Sequence, residues 1–333
     1  MVSSARMPHL CVVAPCYNEG AVIESFYVEL KAALGSLEGI RTSIVFVDDG
    51  SSDATLQILN RIAEKDATVQ VLSLSRNFGH QIALTAGLDF ADADAVLIMD
   101  SDLQHPPKLI PQMVRHWLDG YHVVLGVRRE TADASFLKRR TSAAFYALFN
   151  LLSDVKLVPG AADFCLLSRP VHEALLRMPE RHRVLRGMIS WVGFSRVTVP
   201  YDAAARRAGE SKYTPARMWR MAVDAVLSFS SAPIRMALRV GLGILLLAFA
   251  YFSYIIYALL FNGGTVKGWA SIVTLILALG GTQLVFIGLV GEYLGRVYEE
   301  GKRRPLYFLK QQPQAAARSA AAASYWSRVS SKT

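Results

Sequence analysis

The chain has 333 residues, with 36 Lys and Arg against 27 Asp and Glu, for a net charge of +9. Hydrophobic residues make up 52% of it and charged ones 19%, which excludes wholesale disorder because such a chain can bury a core. Its 3 cysteines are too few, and odd in number, for a disulfide scaffold, and reduced thiols suit a cytosolic face.

Met1–His9 is short and polar, so no signal peptide is expected. Leu10–Pro15, Thr42–Asp48, Val69–Leu74, Ala95–Met99 and His122–Val127 are short, apolar and β-branched and read as strands. Amphipathic helical stretches such as Ala21–Leu34 and Asp53–Lys65 fill the gaps. This alternation predicts an α/β domain with a mostly parallel sheet covered on both faces. In such sheets ligands bind outside the carboxyl ends of the strands. Pro15-Cys16-Tyr17-Asn18-Glu19 follows strand one, Asp48-Asp49-Gly50-Ser51-Ser52-Asp53 follows strand two, and Asp100-Ser101-Asp102-Leu103-Gln104 follows strand four. Three acidic or polar clusters are thus expected on one edge. No GxGxxG or GxxxxGK[ST] pattern is present, so neither a dinucleotide fingerprint nor a P-loop explains them.

Asp100 and Asp102, two residues apart in a strand-end turn, suit a hard cation shared with substrate phosphates. Asp102 also fits a helix cap ahead of Pro106–Pro107. His80, His105 and His182 read as structural or surface groups, because no histidine spacing suggests a metal site.

Further on, Ala216–Phe229 places Met218, Met221, Ala222, Ala225 and Phe229 at helical spacing opposite Arg217, Arg220 and Asp224. That pattern fits a helix on a membrane surface, or one packed under the catalytic domain. Val240–Phe261 is 22 residues without a charge and Trp269–Gly291 is 23. At about 1.5 Å per residue the first reaches about 33 Å, enough for a hydrocarbon core. Arg235 and Arg239 precede the pair, Arg296, Lys302, Arg303 and Arg304 follow it, and only Lys267 lies between. The positive-inside rule then puts both termini and the catalytic domain in the cytoplasm, at an inner or plasma membrane. From Arg296 onward there are 8 basic and 2 acidic residues, so most of the charge lies where anionic headgroups attract it. A nucleic-acid partner is not expected, because no folded-domain basic patch is left. The expected organisation is a catalytic domain over 1–213, a juxtamembrane amphipathic helix over 214–236, two transmembrane helices within 237–296 (about 238–261 and 269–292), and a basic, partly disordered tail over 297–333.

The blocks VAPCYNEG, FVDDGSSDAT, SRNFGHQIALTAGLDFA, IMDSDLQHPP, PGAADFCLLSRPV, ERHRVLRGMISWVGF and RRAGESKY, followed by two apolar spans, resemble family 2 glycosyltransferases. They are most similar to the polyprenyl-phosphate branch, which includes dolichyl-phosphate mannose synthases and bactoprenol glucosyltransferases. The resemblance implies a GT-A fold and an inverting transfer of a hexose from a nucleotide sugar to a polyprenyl phosphate. UDP-glucose is the favoured donor and GDP-mannose the alternative. It implies that Pro15, Tyr17, Glu19, Asp48, Asp49 and Asp100 bind the nucleotide. Asp100, Asp102 and Gln104 would sit around Mg2+ or Mn2+. Arg128, Lys138, Arg139 and Ser142 would hold the lipid phosphate, although these basic residues also fit plain membrane-surface charge. Asp163, Asp102 and Arg206 would carry catalysis, with Arg206, Gly209, Ser211 and Lys212 on a mobile acceptor loop. A small flippase partner and a homo-oligomer are further implications. Cys165 departs from the Arg that the family commonly has after Asp-Phe, which bears on donor preference.

A phosphate acceptor is already largely a dianion at neutral pH, so it scarcely needs a base. Asp163 is therefore expected to orient the acceptor and to stabilise positive character at the anomeric carbon. A processive polysaccharide synthase would show a Gln-x-x-Arg-Trp motif, which is absent. An inactive membrane regulatory subunit would have no reason to keep Asp100, Asp102, Asp163 and Arg206 together.

Overall fold

The computed structural model describes residues 7–129, 158, 160–202, 232–262 and 268–310. They fall into two compact units, one containing the described residues up to 202 together with 304–310, the other containing 232–262 and 268–303.

The first unit alternates strands and helices: β1 (His9–Cys16), α1 (Ile23–Gly35), β2 (Arg41–Asp48), α2 (Thr55–Lys65), β3 (Val69–Ser73), α3 (His80–Phe90), β4 (Ala95–Ile98) and α4 (Ile110–Leu118). Then come β5 (Val123–Arg128), β6 (Ala161–Ser168), α5 (Arg169–Arg177), α6 (Leu185–Trp191) and β7 (Arg196–Tyr201). All five expected strands and both expected helices are present. The strands form one seven-stranded sheet in the order β3-β2-β1-β4-β6-β5-β7. Its α/β class agrees with the fold that the resemblance implies.

β1 is buried along its whole length, as expected of a strand covered on both faces. Phe46 on β2 meets Phe26 on α1 edge-on, with ring centroids 6.2 Å apart. Each such fully buried large side chain contributes about 1.5–3 kcal/mol. α3 lies close on the sheet because Gly87 faces β1; a Cβ there would sit 2.2 Å from Val13 Cγ1. That close approach brings the start of α3 to the sheet's edge.

The sequence reading did not anticipate β6 and β7. β6 runs antiparallel to both β4 and β5, whereas β7 is parallel to β5. The sheet is therefore mixed rather than uniformly parallel. Because β6 is reversed, its amino-terminal end lies on the edge where β1, β2 and β4 have their carboxyl ends, which puts Asp163 there.

Of the basic tail expected over 297–333, residues 297–301 continue the helix that begins at Trp269, and residues 304–310 join the first unit. Leu309 bridges Leu74 in antiparallel fashion, the Lys310 N–H donates to the Ser73 carbonyl at 2.8 Å, and the Ser75 N–H donates to the Phe308 carbonyl at 2.8 Å. The buried Tyr307 hydroxyl donates to Asp89 Oδ2 at 2.9 Å. The segment covers the otherwise open edge of β3, a row of backbone groups that would invite pairing with another chain.

The second unit contains α7 (Ala232–Asn262) and α8 (Trp269–Gly301), of 31 and 33 residues. Their described apolar side chains are widely exposed, Leu247 at 72% and Leu260 at 73% among them. Counted over the described residues, no helix is long and apolar enough to cross a membrane. The expected amphipathic helix over 216–229 and the tail beyond 310 lie outside the described residues.

Candidate active site

The loops after β1, β2, β3 and β4 are tied together at one edge. Asn18 has a positive φ of 56°. Its N–H donates to Ser51 Oγ at 3.0 Å and its Oδ1 accepts from the Ser52 N–H at 2.9 Å. The Glu19 N–H donates to Thr55 Oγ1 at 2.9 Å and the Gly20 N–H to Asp53 Oδ2 at 3.0 Å. The Ser101 hydroxyl donates to the Pro15 carbonyl at 2.9 Å. Gly50 lets the β2 and β3 loops touch. It has φ +69°, and a Cβ there would lie 2.5 Å from the Arg76 carbonyl carbon.

Asp48 and Asp49 are buried, at 1% and 3% exposure. Asp48 Oδ1 accepts the Ser51 N–H at 3.2 Å and Oδ2 the Ser73 hydroxyl at 3.3 Å. Asp49 Oδ1 accepts the Phe78 N–H at 2.7 Å and Oδ2 the Gly79 N–H at 2.9 Å. Burial raises the Asp49 pKa, and the two backbone donors oppose that rise. Of the other expected nucleotide ligands, Pro15 is buried at the end of β1, Tyr17 is 40% exposed, and Glu19 is half-buried.

The turn after β4 is organised differently. Its Leu103 has φ 62°, a left-handed conformation that is strained for a leucine. Asp102 Oδ1 accepts the Gln104 N–H at 3.0 Å, so Asp102 shapes this turn and does not cap the Pro107 helix start, whose cap position is Pro106. The Asp100 N–H donates to His105 Nδ1 at 3.0 Å. That bond requires an unprotonated Nδ1, and burial lowers the His105 pKa in the same sense. The neutral ring stacks on Phe164 at 5.0 Å and meets Tyr201 edge-on at 6.0 Å. Asp100 Oδ1 is buried with no hydrogen-bond partner among the described residues; His80 Nε2 lies 3.5 Å from it. Burial raises the Asp100 pKa, and the nearby His80 pulls it back.

Asp163, on β6, is 8% exposed. Its Oδ1 accepts from Arg186 Nε at 2.6 Å, and its Oδ2 accepts from Gln81 Nε2 at 3.1 Å and lies 3.3 Å from His80 Nε2. Burial alone would raise its pKa. The Arg186 charge and the His80 hydrogen bond reverse that and hold the carboxyl well below the usual carboxylate range. His80 responds in the opposite direction: burial lowers its pKa, but the bond to Asp163 and the Asp100 charge leave it raised. Beside Asp163 lies a cavity of about 50 Å³ with an apolar lining that includes Leu84, Ile98, Leu125 and Cys165. Cys165 is buried, and burial pushes its thiol far up, so it acts as a small apolar group.

The sheet edge thus gathers Asp100, Asp102, Gln104 and Asp163. Arg128, also expected in the site, is exposed at the carboxyl end of β5. Lys138, Arg139, Ser142, Arg206, Gly209, Ser211 and Lys212 lie outside the described residues. Three neighbours escaped the sequence reading. His80 reads as a structural or surface group by its spacing, and nothing in the sequence pattern marks Gln81 or Arg186. Their signal was topological, since a helix that follows or feeds a parallel strand begins at the sheet's carboxyl edge.

Comparison with known proteins identifies the family. The family model described as glycosyl transferase family 2 matches residues 11–176. An uncharacterized glycosyltransferase of Bacillus subtilis (strain 168), YkcC, is 38% identical over 300 residues, covering 90% of this chain and 93% of that protein. A bactoprenol glucosyl transferase of Shigella phage SfV is 40% identical over 305 residues, covering 92% and 99%. Among solved structures, a mannosyl-3-phosphoglycerate synthase from Rubrobacter xylanophilus is similar with a TM-score of 0.46 and 18% identity, covering 70% and 75%. The chain belongs to the family 2 glycosyltransferases, and it is an enzyme of that class.

Proposed function

We propose that the protein transfers a hexose, glucose first, from a nucleotide sugar to a polyprenyl phosphate, with inversion at the anomeric carbon. One observation carries the choice of acceptor: Asp163 is held ionised by Arg186 at 2.6 Å and by His80. A carboxylate whose pKa is far below the working pH is a poor general base. A sugar hydroxyl must lose a proton to attack, whereas a phosphate monoester offers an oxygen that is already ionised. Asp163 therefore serves by its charge, facing the positive character that develops at the anomeric carbon. The likeness to bactoprenol glucosyl transferases over nine-tenths of the chain supports the same acceptor.

The β4 turn suits a divalent cation. The Asp100 Oδ1 is buried and has no hydrogen-bond partner among the described residues, and Asp102 and Gln104 follow on the same turn. A hard cation at such a turn would be shared with substrate phosphates. Mg2+ or Mn2+ held there would neutralise charge on the leaving diphosphate. His80 keeps a positive edge between Asp100 and Asp163, and the neutral His105 ring holds the Asp100 backbone from beneath. Lys138, Arg139 and Ser142 would receive the lipid phosphate with Arg128, and Arg206, Gly209, Ser211 and Lys212 would close over the diphosphate.

α7 and α8 would form the membrane hairpin. Their full sequences carry the uncharged runs Val240–Phe261 and Trp269–Gly291, and the flanking arginines place the catalytic unit on the cytoplasmic side. The test offers a panel of labelled nucleotide sugars to membranes containing the protein and undecaprenyl phosphate. Label in the organic-extractable lipid, greatest with UDP-glucose, is expected. Greatest label from GDP-mannose would replace the donor, and label only in polysaccharide would overturn the acceptor.

A further inference from the structure

Gln81 sits in the first turn of α3 and uses both ends of its amide. Its Nε2 donates to Asp163 Oδ2 at 3.1 Å, and its Oε1 accepts the N–H of Leu185 at 2.9 Å. Leu185 is the first residue of α6, and the next residue, Arg186, donates to the other Asp163 oxygen at 2.6 Å. These contacts close a ring: Asp163, Gln81, Leu185, Arg186 and back to Asp163. The amide can face only one way. Turned over, its NH2 would oppose the Leu185 N–H and its oxygen would oppose a carboxylate. The α6 amide that Gln81 satisfies has no partner within its own helix, since the first four N–H groups of a helix never do.

We propose that Gln81 is a positioning residue for sugar transfer: its amide fixes the spacing between β6 and the start of α6, so that the Asp163 carboxylate keeps one orientation with Arg186 seated on Oδ1. The proposal rests on the function above only for its kinetic assay. Gln81 reaches the chemistry through Asp163 and Arg186. Loss of such a brace leaves donor binding in place and misdirects one charge, and misplacement of about 1 Å can cost about 100-fold in rate.

Two variants separate the two ends of the amide. Gln81→Leu removes both bonds. Gln81→Glu keeps an acceptor for the Leu185 N–H but turns a second carboxylate toward Asp163. Hydrogen–deuterium exchange of the full-length protein reads the Leu185 amide directly. Exchange there is expected to accelerate at least about 10-fold in Gln81→Leu and to stay within about two-fold of wild type in Gln81→Glu. In lipid-glycosylation assays both variants are expected to lose about 10- to 100-fold in kcat, with KM for the nucleotide sugar within about two-fold. A purely structural role predicts a nearly full kcat for Gln81→Glu, and that result would overturn the proposal. So would unchanged Leu185 exchange in Gln81→Leu. If wild type makes no glycolipid, the acceptor assignment fails, while the exchange comparison still decides whether the brace exists. If Gln81→Leu does not fold, Gln81→Glu still supplies the deciding kcat.

Discussion

The carboxylates after β2 and those after β4 and β6 occupy the same edge of the same sheet, yet they are finished to different degrees. Asp48 and Asp49 have each oxygen in a hydrogen bond to this chain: Ser51 and Ser73 for the first, Phe78 and Gly79 for the second. Asp100 has one buried oxygen with no hydrogen-bond partner among the described residues and only His80 at 3.5 Å beside it, and Asp163 is paired with groups that carry charge. A carboxylate saturated by backbone donors sets the shape of a loop. One left short of partners, or held charged against Arg and His, has capacity for something from outside. Under the proposed function, Asp48 and Asp49 would shape the pocket and Asp100 and Asp163 would serve its chemistry.

Substitution can break this contrast. Asp163→Asn removes the charge with almost no change in shape, and kcat is expected to fall by about 1,000-fold while donor affinity measured by calorimetry stays within about two-fold. A matching loss of donor affinity would place Asp163 on the nucleotide instead. Asp49→Asn presents an NH2 to one of two backbone donors. It is expected to lower the stability of the first unit by about 1–3 kcal/mol in urea unfolding. Asp100→Asn should leave stability within about 0.5 kcal/mol of wild type or raise it, because burying the ionised carboxyl costs free energy that the His80 contact at 3.5 Å only partly offsets. Equal destabilisation by the two would erase the distinction.

The smallest effect is in the pH dependence of the His80–Asp163 contact. The raised His80 pKa means that its share of stability is complete below about pH 6.5 and is lost as pH rises through its folded value. Asp163, held low, contributes above about pH 3.8 and loses that share only as pH falls through its own folded value. His80→Asn should therefore lower the urea midpoint more at pH 6 than at pH 9. A larger drop at pH 9 would mean that the contact is formed by a neutral ring.

Much of this edge was legible in the residues. β1 to β5 announced themselves as apolar runs, and the clusters after strands one, two and four fell where parallel topology puts ligands. What escaped has identifiable causes. β6 carries Ala161, Ala162 and Asp163, small or charged residues that dilute a strand's apolar pattern, and its reversed direction depends on pairings remote in sequence. Whether Asp49 or Asp100 is saturated depends on Phe78, Gly79 and His80, donors from other loops. Gln81 and Arg186 are ordinary helix surface residues by pattern. They meet Asp163 only because Gly87 lets α3 lie against β1 and because α6 starts at the same edge. Residues 304–310 look like a basic tail by charge, but Tyr307 bonds Asp89 on α3 and the backbone of residues 308–310 pairs with residues 73–75 at the end of β3.

Under the proposed function, the β4 turn is the part of the edge that would take a cation together with a diphosphate. Calorimetric titration of UDP into wild type, Asp49→Asn and Asp100→Asn, with Mg2+ or Mn2+ and again with chelator, tests it directly. The account predicts binding that needs the metal in wild type, keeps that need in Asp49→Asn and loses it together with most of the affinity in Asp100→Asn. Tight binding in chelator, or a metal response in Asp100→Asn equal to that of wild type, would contradict it.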